Sequence, residues 1–154
     1  MGVLRGKKMK KEVINIWVKT GALRNKQKDI EKIKAIINSA EINVGVIKSI
    51  KLNEDTATLI FREIYESIRQ LGDAKWGILS FEPGNHEVSM EILKEFDIKN
   101  KVKLNSLDRF KKTRHDVNYR GFRTSISQAE EILDFWDKCG KEIIRILRKE
   151  LENK

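Results

Sequence analysis

Side chains suited to phosphate chemistry are concentrated between Leu107 and Gly121, in the segment LDRFKKTRHDVNYRG. These fifteen residues hold five positively charged side chains, one of the two histidines of the chain and one of its two tyrosines. The segment is therefore the first candidate for a functional site. Its positively charged residues, its histidine and its tyrosine are Arg109, Lys111, Lys112, Arg114, His115, Tyr119 and Arg120.

Arginine binds phosphate through paired N–H donors, and an imidazole beside it could move protons. Such a set could cleave an RNA backbone by attack of its own 2′-hydroxyl, which needs a base, an acid and a cation for the pentavalent phosphate. The alternative is structural, since runs of charge are usually solvated faces. In that case Arg114 pairs with Asp116 or a neighbouring glutamate, and His115 caps or packs. The residues alone leave both interpretations open.

Charge and length set limits on the class of protein. A formal charge of +9 and a pI near 9.6 indicate either an anionic partner, nucleic acid above all, or a solvated surface rich in lysine and glutamate. The 154 residues suffice for one domain, 1–154, with its own core. The one cysteine, Cys139, excludes an internal disulfide, and its apolar helical surroundings favour a buried thiol. We expect neither a metal nor a cofactor.

The sequence contains no run of eighteen apolar residues, and its N-terminal lysines lack the apolar segment of a signal peptide. We therefore expect a cytoplasmic protein without membrane contact. Residues 1–8 carry two glycines and a cluster of positive charge, so we expect them to fray.

Apolar residues recur at steps of three and four along most of the chain, and proline occurs once, which predicts an all-α fold. We expect an antiparallel up-and-down bundle of five to six helices. The third helix has a wide apolar face, which predicts a central position. The predicted helices cover residues 9–17, 27–50, 56–75, 85–96, a fifth from Leu104 to Gly121 and a sixth from Ser127 almost to the C-terminus.

A turn precedes the fourth helix. Pro83 and Gly84 mark the turn, after which Asn85 can cap the helix. His86 follows directly and is interpreted as a capping residue, although a position facing Arg114 would instead favour chemistry.

Three other helix ends carry recognisable signals. After the second helix, Asn53 or Asp55 is a plausible N-cap for the third. Gly121 predicts the end of the fifth helix. Ser127, with Glu130 three residues later, has the capping-box spacing and predicts the start of the sixth.

Four segments, in this order, resemble the HEPN superfamily, a group of all-helical bundles found in archaeal and bacterial toxin–antitoxin pairs, in CRISPR effectors and beside minimal nucleotidyltransferases. The resemblance covers residues 54–150 and implies a HEPN-like bundle. The segments are YESIRQLGDAKWGILS at the end of the broad apolar helix, GNHE at Gly84–Glu87, LDRFKKTRHDVNYRG, and SISQAEEILDFWDKC at the start of the last helix.

Active members of that superfamily carry an Arg, four to six intervening residues and a His, and are metal-independent RNases that usually assemble the site across a dimer. Arg109 and His115 satisfy this spacing. The surrounding residues favour a second register, in which Arg114 takes the arginine position and Tyr119 stands where the histidine is expected. Tyrosine has an ordinary pKa of about 10 and is a poor base at neutral pH, so this register implies RNA binding with inefficient cleavage.

The resemblance also implies partners: a second copy of the chain in a homodimer, and a minimal nucleotidyltransferase as the other half of a toxin–antitoxin pair. Some such partners adenylylate a tyrosine next to the motif, which makes Tyr119 a candidate for modification. The alternative is a noncatalytic module that binds a nucleotide or the partner enzyme and never touches RNA. The implied site residues are Arg114, His115 and Tyr119 as catalytic groups, and Arg109, Lys112, Asn118 and Arg120 as nucleic-acid contacts.

Overall fold

The structure is a computed structural model that describes residues 11–153, so the predicted fraying of residues 1–8 lies outside it. Helices account for 76% of it, and the described strands form one two-stranded sheet, so the fold is mostly helical as predicted. None of the helices within residues 11–153 combines the length and the apolarity needed to cross a membrane. The helices are α1 (Lys11–Thr20), α2 (Ile30–Lys48), α3 (Ala57–Ile78), α4 (His86–Glu91), α5 (Ser106–Arg120), α6 (Ile126–Phe135) and α7 (Lys141–Glu152).

Shorter elements connect these helices. A 3₁₀ helix at Ile92–Glu95 continues α4, and a second one at Lys101–Asn105 leads into α5. A π turn at Trp136–Gly140 joins α6 to α7, so the three form one unbroken helical rod, as the sequence predicted for the last helix. The two strands are β1 (Leu23–Asn25) and β2 (Phe81–Pro83).

Helix α3 is the centre of the fold, because it contacts α2, α4, α5, α6 and α7. Its side chains Ile64, Ile68 and Leu71 are fully buried in one core cluster that also receives residues from those neighbours. The wide apolar face of the third predicted helix is therefore buried on more than one side, which confirms its predicted central position.

The strand pair β1–β2 was not predicted. Leu23 pairs antiparallel with Pro83, and Arg24 pairs with Glu82 across the strands, where their side chains form an ion pair at 2.9 Å. Each strand has only three residues, which is too short for the alternation of apolar and polar positions that identifies a strand in a sequence.

Helix α4 lies directly against α3. At Gly72 of α3, a Cβ atom would lie only 1.9 Å from the carbonyl oxygen of Ser89, so no side chain fits there. The Nε1 of Trp76 donates a buried hydrogen bond of 2.8 Å to the carbonyl oxygen of Val88. Asn85 accepts from the Val88 N–H at 2.9 Å, which confirms the predicted cap. The backbone contact at Gly72 and the Trp76–Val88 hydrogen bond together fix the start of α4 on α3, and the Asn85 cap stabilises that start within α4 itself.

The predicted cap of the last helix was wrong. Ser125, not Ser127, forms the capping box: its Oγ accepts from the Gln128 N–H at 3.1 Å, and the Gln128 side chain accepts from the Ser125 N–H at 2.9 Å. The preceding residue explains the shift, because Thr124 is buried and donates from its N–H and its hydroxyl to the hydroxyl oxygen of Thr58 on α3. This anchor places the helix start directly after Thr124.

Cys139 is buried within the π turn, as the sequence indicated. Burial raises the pKa of its thiol to about 11, so the thiol is protonated and unreactive at neutral pH. The next residue, Gly140, permits the turn, because a Cβ there would lie 2.8 Å from the ring of Trp136. The thiol is therefore structural.

The contact at Gly72 can be tested against a second helical glycine. We expect Gly72→Ala to lower the free energy of unfolding by about 1 to 3 kcal/mol or more, because the new methyl group overlaps the Ser89 carbonyl. Gly45 of α2 has no neighbouring atom within 4 Å of an added Cβ, so Gly45→Ala should raise stability by about 1 kcal/mol through helix propensity. Urea unfolding followed by circular dichroism measures both. Equal stabilities for the two variants would contradict the close contact.

Candidate functional site

Helix α5 turns the predicted site residues onto different sides. Leu107, Phe110 and Val117 are its buried side chains, and Arg114 falls on the same helical stripe, four residues after Phe110 and three before Val117. Arg114 is accordingly half-buried, whereas Tyr119 is 72% exposed. The structure therefore does not bring the Arg and the Tyr of the favoured register together within one chain.

Among residues 11–153, no carboxylate forms an ion pair with Arg114. Its guanidinium carbon lies 5.6 Å from the centre of the Tyr65 ring, a cation–π contact with a buried aromatic side chain. With its amide turned so that oxygen faces the arginine, Asn118 accepts from both Nε and Nη2 at 3.3 Å. The structural alternative had Arg114 pairing with Asp116 or a neighbouring glutamate. Asp116 pairs with Lys112 and Arg120 instead, whereas Glu66 of α3 interacts with Arg114 electrostatically.

A stripe of charged residues on α3 lies beside Arg114. The Nε of Arg69 donates to Glu66 at 3.1 Å, its Nη2 also bonds that carboxylate, and its Nη1 donates to Asp73 at 2.7 Å. The side chain of Arg69 is only 17% exposed, so burial removes most of it from water. The carboxylates of Glu66 and Asp73 neutralise its charge there. The Ser89 hydroxyl of α4 donates to Asp73 at 2.6 Å, which continues the network across the α3–α4 contact.

His86, the first residue of α4, belongs to the same cluster. The N-cap hydrogen bond is made by Asn85, so His86 is not needed as a cap. Partial burial of the ring, together with the positive charges of Arg69 and Arg114, lowers the pKa of His86 below its usual value. The charge of Arg114 therefore acts on His86, the residue that the sequence linked to chemistry if it faced that arginine, but this effect alone does not place the two side chains face to face.

The carboxylates of the cluster are shifted in opposite directions. Burial raises the pKa of Glu66, but the hydrogen bond and charge of Arg69, with smaller effects of His86 and Arg114, hold this pKa below its usual value. Burial keeps the pKa of Asp73 above its usual value, although Ser89 and Arg69 oppose the shift. Glu66 therefore remains ionised beside the two cations. We call this set the Arg114–His86 cluster; it comprises Glu66, Arg69, Asp73, His86, Arg114 and Asn118.

His115 and Tyr119 lie together on the exposed side of α5. Their ring centres are 4.8 Å apart at a tilt of 42°. The competing register, Arg109 with His115, is not assembled either, because Arg109 forms an ion pair with Glu131 of α6. Within one chain, neither arginine of the two registers lies with the residue expected to complete its motif.

The other predicted phosphate-binding cations are exposed and engaged in surface ion pairs. Lys112 and Arg120 reach Asp116 at 3.4 and 3.9 Å, and Arg120 also lies over the ring of Phe122. Exposed pairs of this kind contribute little to stability, so a phosphate can replace the carboxylate. These cations therefore remain available to an anionic ligand.

Helix α3 contributes three charged residues to the cluster that were not predicted from the sequence. Glu66, Arg69 and Asp73 recur at steps of three and four within an otherwise apolar helix, which is the signal of one polar stripe on one face. The same argument, applied to α5, would have separated Arg114 from Tyr119. No sequence pattern indicated the position of His86, because that position depends on the backbone contact between α4 and α3.

The cluster offers a guanidinium, an imidazole and an ionised carboxylate on adjoining helices, a set that can bind a phosphodiester and exchange protons with it. Among the described residues, no group of three His, Cys, Asp or Glu side chains is arranged to hold a metal ion. The chain matches no family model, and neither the curated proteins nor the solved structures include a match to it. The geometry of the site is thus the basis for any functional assignment.

The electrostatic link between Arg114 and His86 can be measured, because the chain has only two histidines. We expect Arg114→Ala to raise the pKa of His86 towards its ordinary value of about 6.5, since a nearby positive charge disfavours protonation. Proton NMR titration of the histidine ring signals, assigned with His86→Gln, gives the value. Arg145→Ala on α7 is the control and should leave it unchanged. If the pKa of His86 is the same in Arg114→Ala as in the wild type, the charge of Arg114 does not act on His86.

Proposed function

We propose that the chain is a HEPN-like helical bundle that binds single-stranded RNA at the Arg114–His86 cluster, where α3, α4 and α5 meet. The observation that carries this proposal is the half-buried Arg114 guanidinium, which Asn118 and Tyr65 hold and which forms no ion pair with a carboxylate in the part of the chain that the structure describes. A guanidinium has five N–H donors in a planar fork that matches a phosphate. Asn118 uses two of them, so donors remain for a ligand.

The contrast with Arg69 supports this assignment. Arg69 is desolvated and bonded to two carboxylates, which is the usual arrangement of a structural arginine. Arg114 is also partly buried, but among the described residues Glu66 contributes only an electrostatic interaction to it and no carboxylate forms an ion pair with it. A phosphodiester supplies the missing counter-charge, and two exposed cations of α5, Lys112 before Arg114 and Arg120 after it, can bind the adjacent phosphates.

RNA cleavage without a metal is the second candidate, and the pKa of His86 favours it. Because this pKa lies below its usual value, the imidazole is neutral at pH 7 and can accept the 2′-hydroxyl proton. The 2′-oxygen then forms a bond to phosphorus, the bond from phosphorus to the 5′-oxygen breaks, and that oxygen takes up a proton from solvent. Arg114 would neutralise charge on the pentavalent phosphate.

The partners expected from the HEPN resemblance fit the outer side of α5. Tyr119 is 72% and Phe122 54% exposed, an extent of aromatic surface suited to an interface between two copies of the chain. The same exposure leaves the Tyr119 hydroxyl accessible to a nucleotidyltransferase partner. In this proposal the chain is the toxin half of the pair, and the tyrosine is the site at which the partner regulates it.

RNA binding is tested by fluorescence anisotropy with a labelled single-stranded RNA of twelve nucleotides. We expect Arg114→Ala to weaken binding roughly tenfold and to reduce the slope of log Kd against log salt by about 1, since one phosphate contact is lost. Arg145→Ala, an equally charged change on the exposed surface of α7, should have little effect. Equal affinities of the two variants would remove Arg114 from the interface.

Cleavage is tested with the same RNA in EDTA, where products ending in 2′,3′-cyclic phosphate identify metal-independent attack by the 2′-hydroxyl. We expect His86→Gln and Arg114→Ala each to lower the rate at least a hundredfold, and the wild-type rate to fall at acidic pH as His86 becomes protonated. His115→Gln and Tyr119→Phe serve as controls that distinguish the registers. If His115→Gln and Tyr119→Phe abolish cleavage and His86→Gln does not, His86 is not the base. If the wild type leaves the RNA intact, the activity of the chain is RNA binding alone.

A further inference from the structure

A cavity of about 310 Å³ opens next to the Arg114–His86 cluster, between α2, α3, β2 and the start of α4. Arg69, Asp73 and His86 line this cavity and belong to the cluster as well. The cavity and the cluster therefore share these three side chains, and a ligand bound at the cluster lies next to the cavity. Its volume lies at the lower end of the range of pockets that take small organic ligands, about 300 to 1,000 Å³.

The walls of the cavity suit a flat ring. Ile33 and Ile36 of α2 lie on one side, and Phe81 and Pro83 of β2 contribute to the lining as well. The Phe81 ring is fixed edge-to-face on Trp76, with ring centres 5.8 Å apart at 89°. A rigid aromatic side chain with aliphatic neighbours is the type of surface on which nucleobases stack.

The charges of the cavity exclude a buried polyanion. Its lining holds three cations and three carboxylates, and most of them already satisfy each other: Arg69 bonds Asp73 at 2.7 Å, and Lys26 lies 3.8 Å from Glu82. The interior is thus close to neutral but rich in hydrogen-bonding groups, among them Asp73. Lys32, with no direct ion pair among the described residues, is exposed and can reach a phosphate outside the cavity.

We propose that this cavity binds one unpaired base of the RNA strand whose phosphate lies on Arg114, so that the cavity sets base preference while the cluster sets affinity. The inference rests on the proposed RNA binding, and the ligand chemistry is that of a single nucleotide, which a free nucleotide shares. Base edges carry sequence information and phosphates do not, so the two functions are separable by mutation.

The experiment uses the full chain, labelled twelve-nucleotide oligo(A), oligo(C) and oligo(U), and the four nucleoside 5′-monophosphates. Ile36→Trp places an indole in the cavity, and Ile42→Trp makes the same change on the exposed side of α2. We expect the wild type to prefer one homopolymer by about tenfold or more. Ile36→Trp should abolish that preference, Ile42→Trp should retain it, and Arg114→Ala should weaken all three oligomers while retaining it.

Phe81→Leu provides a second variant if Ile36→Trp does not fold, because leucine keeps an apolar contact with Trp76 but has no ring face; the same loss of preference is expected. Wild-type preference and affinity in a folded Ile36→Trp would overturn the cavity proposal and leave RNA binding intact, as would a wild type that binds without preference.

If the wild type binds no RNA, the proposed function fails. Calorimetric titration with the monophosphates then decides: binding that Ile36→Trp removes supports a cavity for a free nucleotide, and no binding overturns it.

Discussion

The backbone contact between Gly72 of α3 and Ser89 of α4 is the constraint on which the arrangement of the site depends. It lets the start of α4 approach the polar stripe of α3 closely enough for Ser89 to bond Asp73 and for His86 to enter the field of Arg69. The methyl group of an alanine at this position would overlap the Ser89 carbonyl, so the two helices would have to move apart and these interactions would weaken. The lack of a side chain at Gly72 of α3 therefore determines where the His86 imidazole lies.

The cluster combines two arginines with different electrostatic environments. Arg69 is tied to carboxylates on its own helix, and this pairing offsets the cost of removing it from water. Arg114 receives an amide oxygen and an aromatic face, which orient it but leave its charge unneutralised. The chain has a formal charge of +9, so a second unpaired cation next to Arg114 would add electrostatic repulsion. Because carboxylates neutralise Arg69, Arg69 adds little repulsion to Arg114.

Periodicity predicted the helices well, because each long helix buries an apolar stripe that recurs at steps of three and four. Local chemistry also identified Asn85 as a cap and Gly121, with a φ of 69°, as the end of α5. Three-residue strands leave no such pattern, and the start of α6 was misplaced because Thr124 acts through a contact with a distant helix. The site was predicted in part: Arg114 was named from the sequence, but the residues around it come from α3 and α4 and depend on tertiary packing.

The π turn that encloses Cys139 has a consequence for the phase of the C-terminal rod. After that turn the core residues Ile143, Leu147 and Leu151 follow every fourth position, and with about 100° of rotation per residue each such step overshoots a full revolution by about 40°. The wider winding at Trp136–Gly140 takes up one extra residue, so the side chains after it stay on the face of the rod that contacts α3. Removal of a single residue there would restore regular winding and leave Glu150 facing its partner Lys75, now at 3.0 Å, whereas the same deletion in a regular turn of α7 would rotate the residues after it by about 100°.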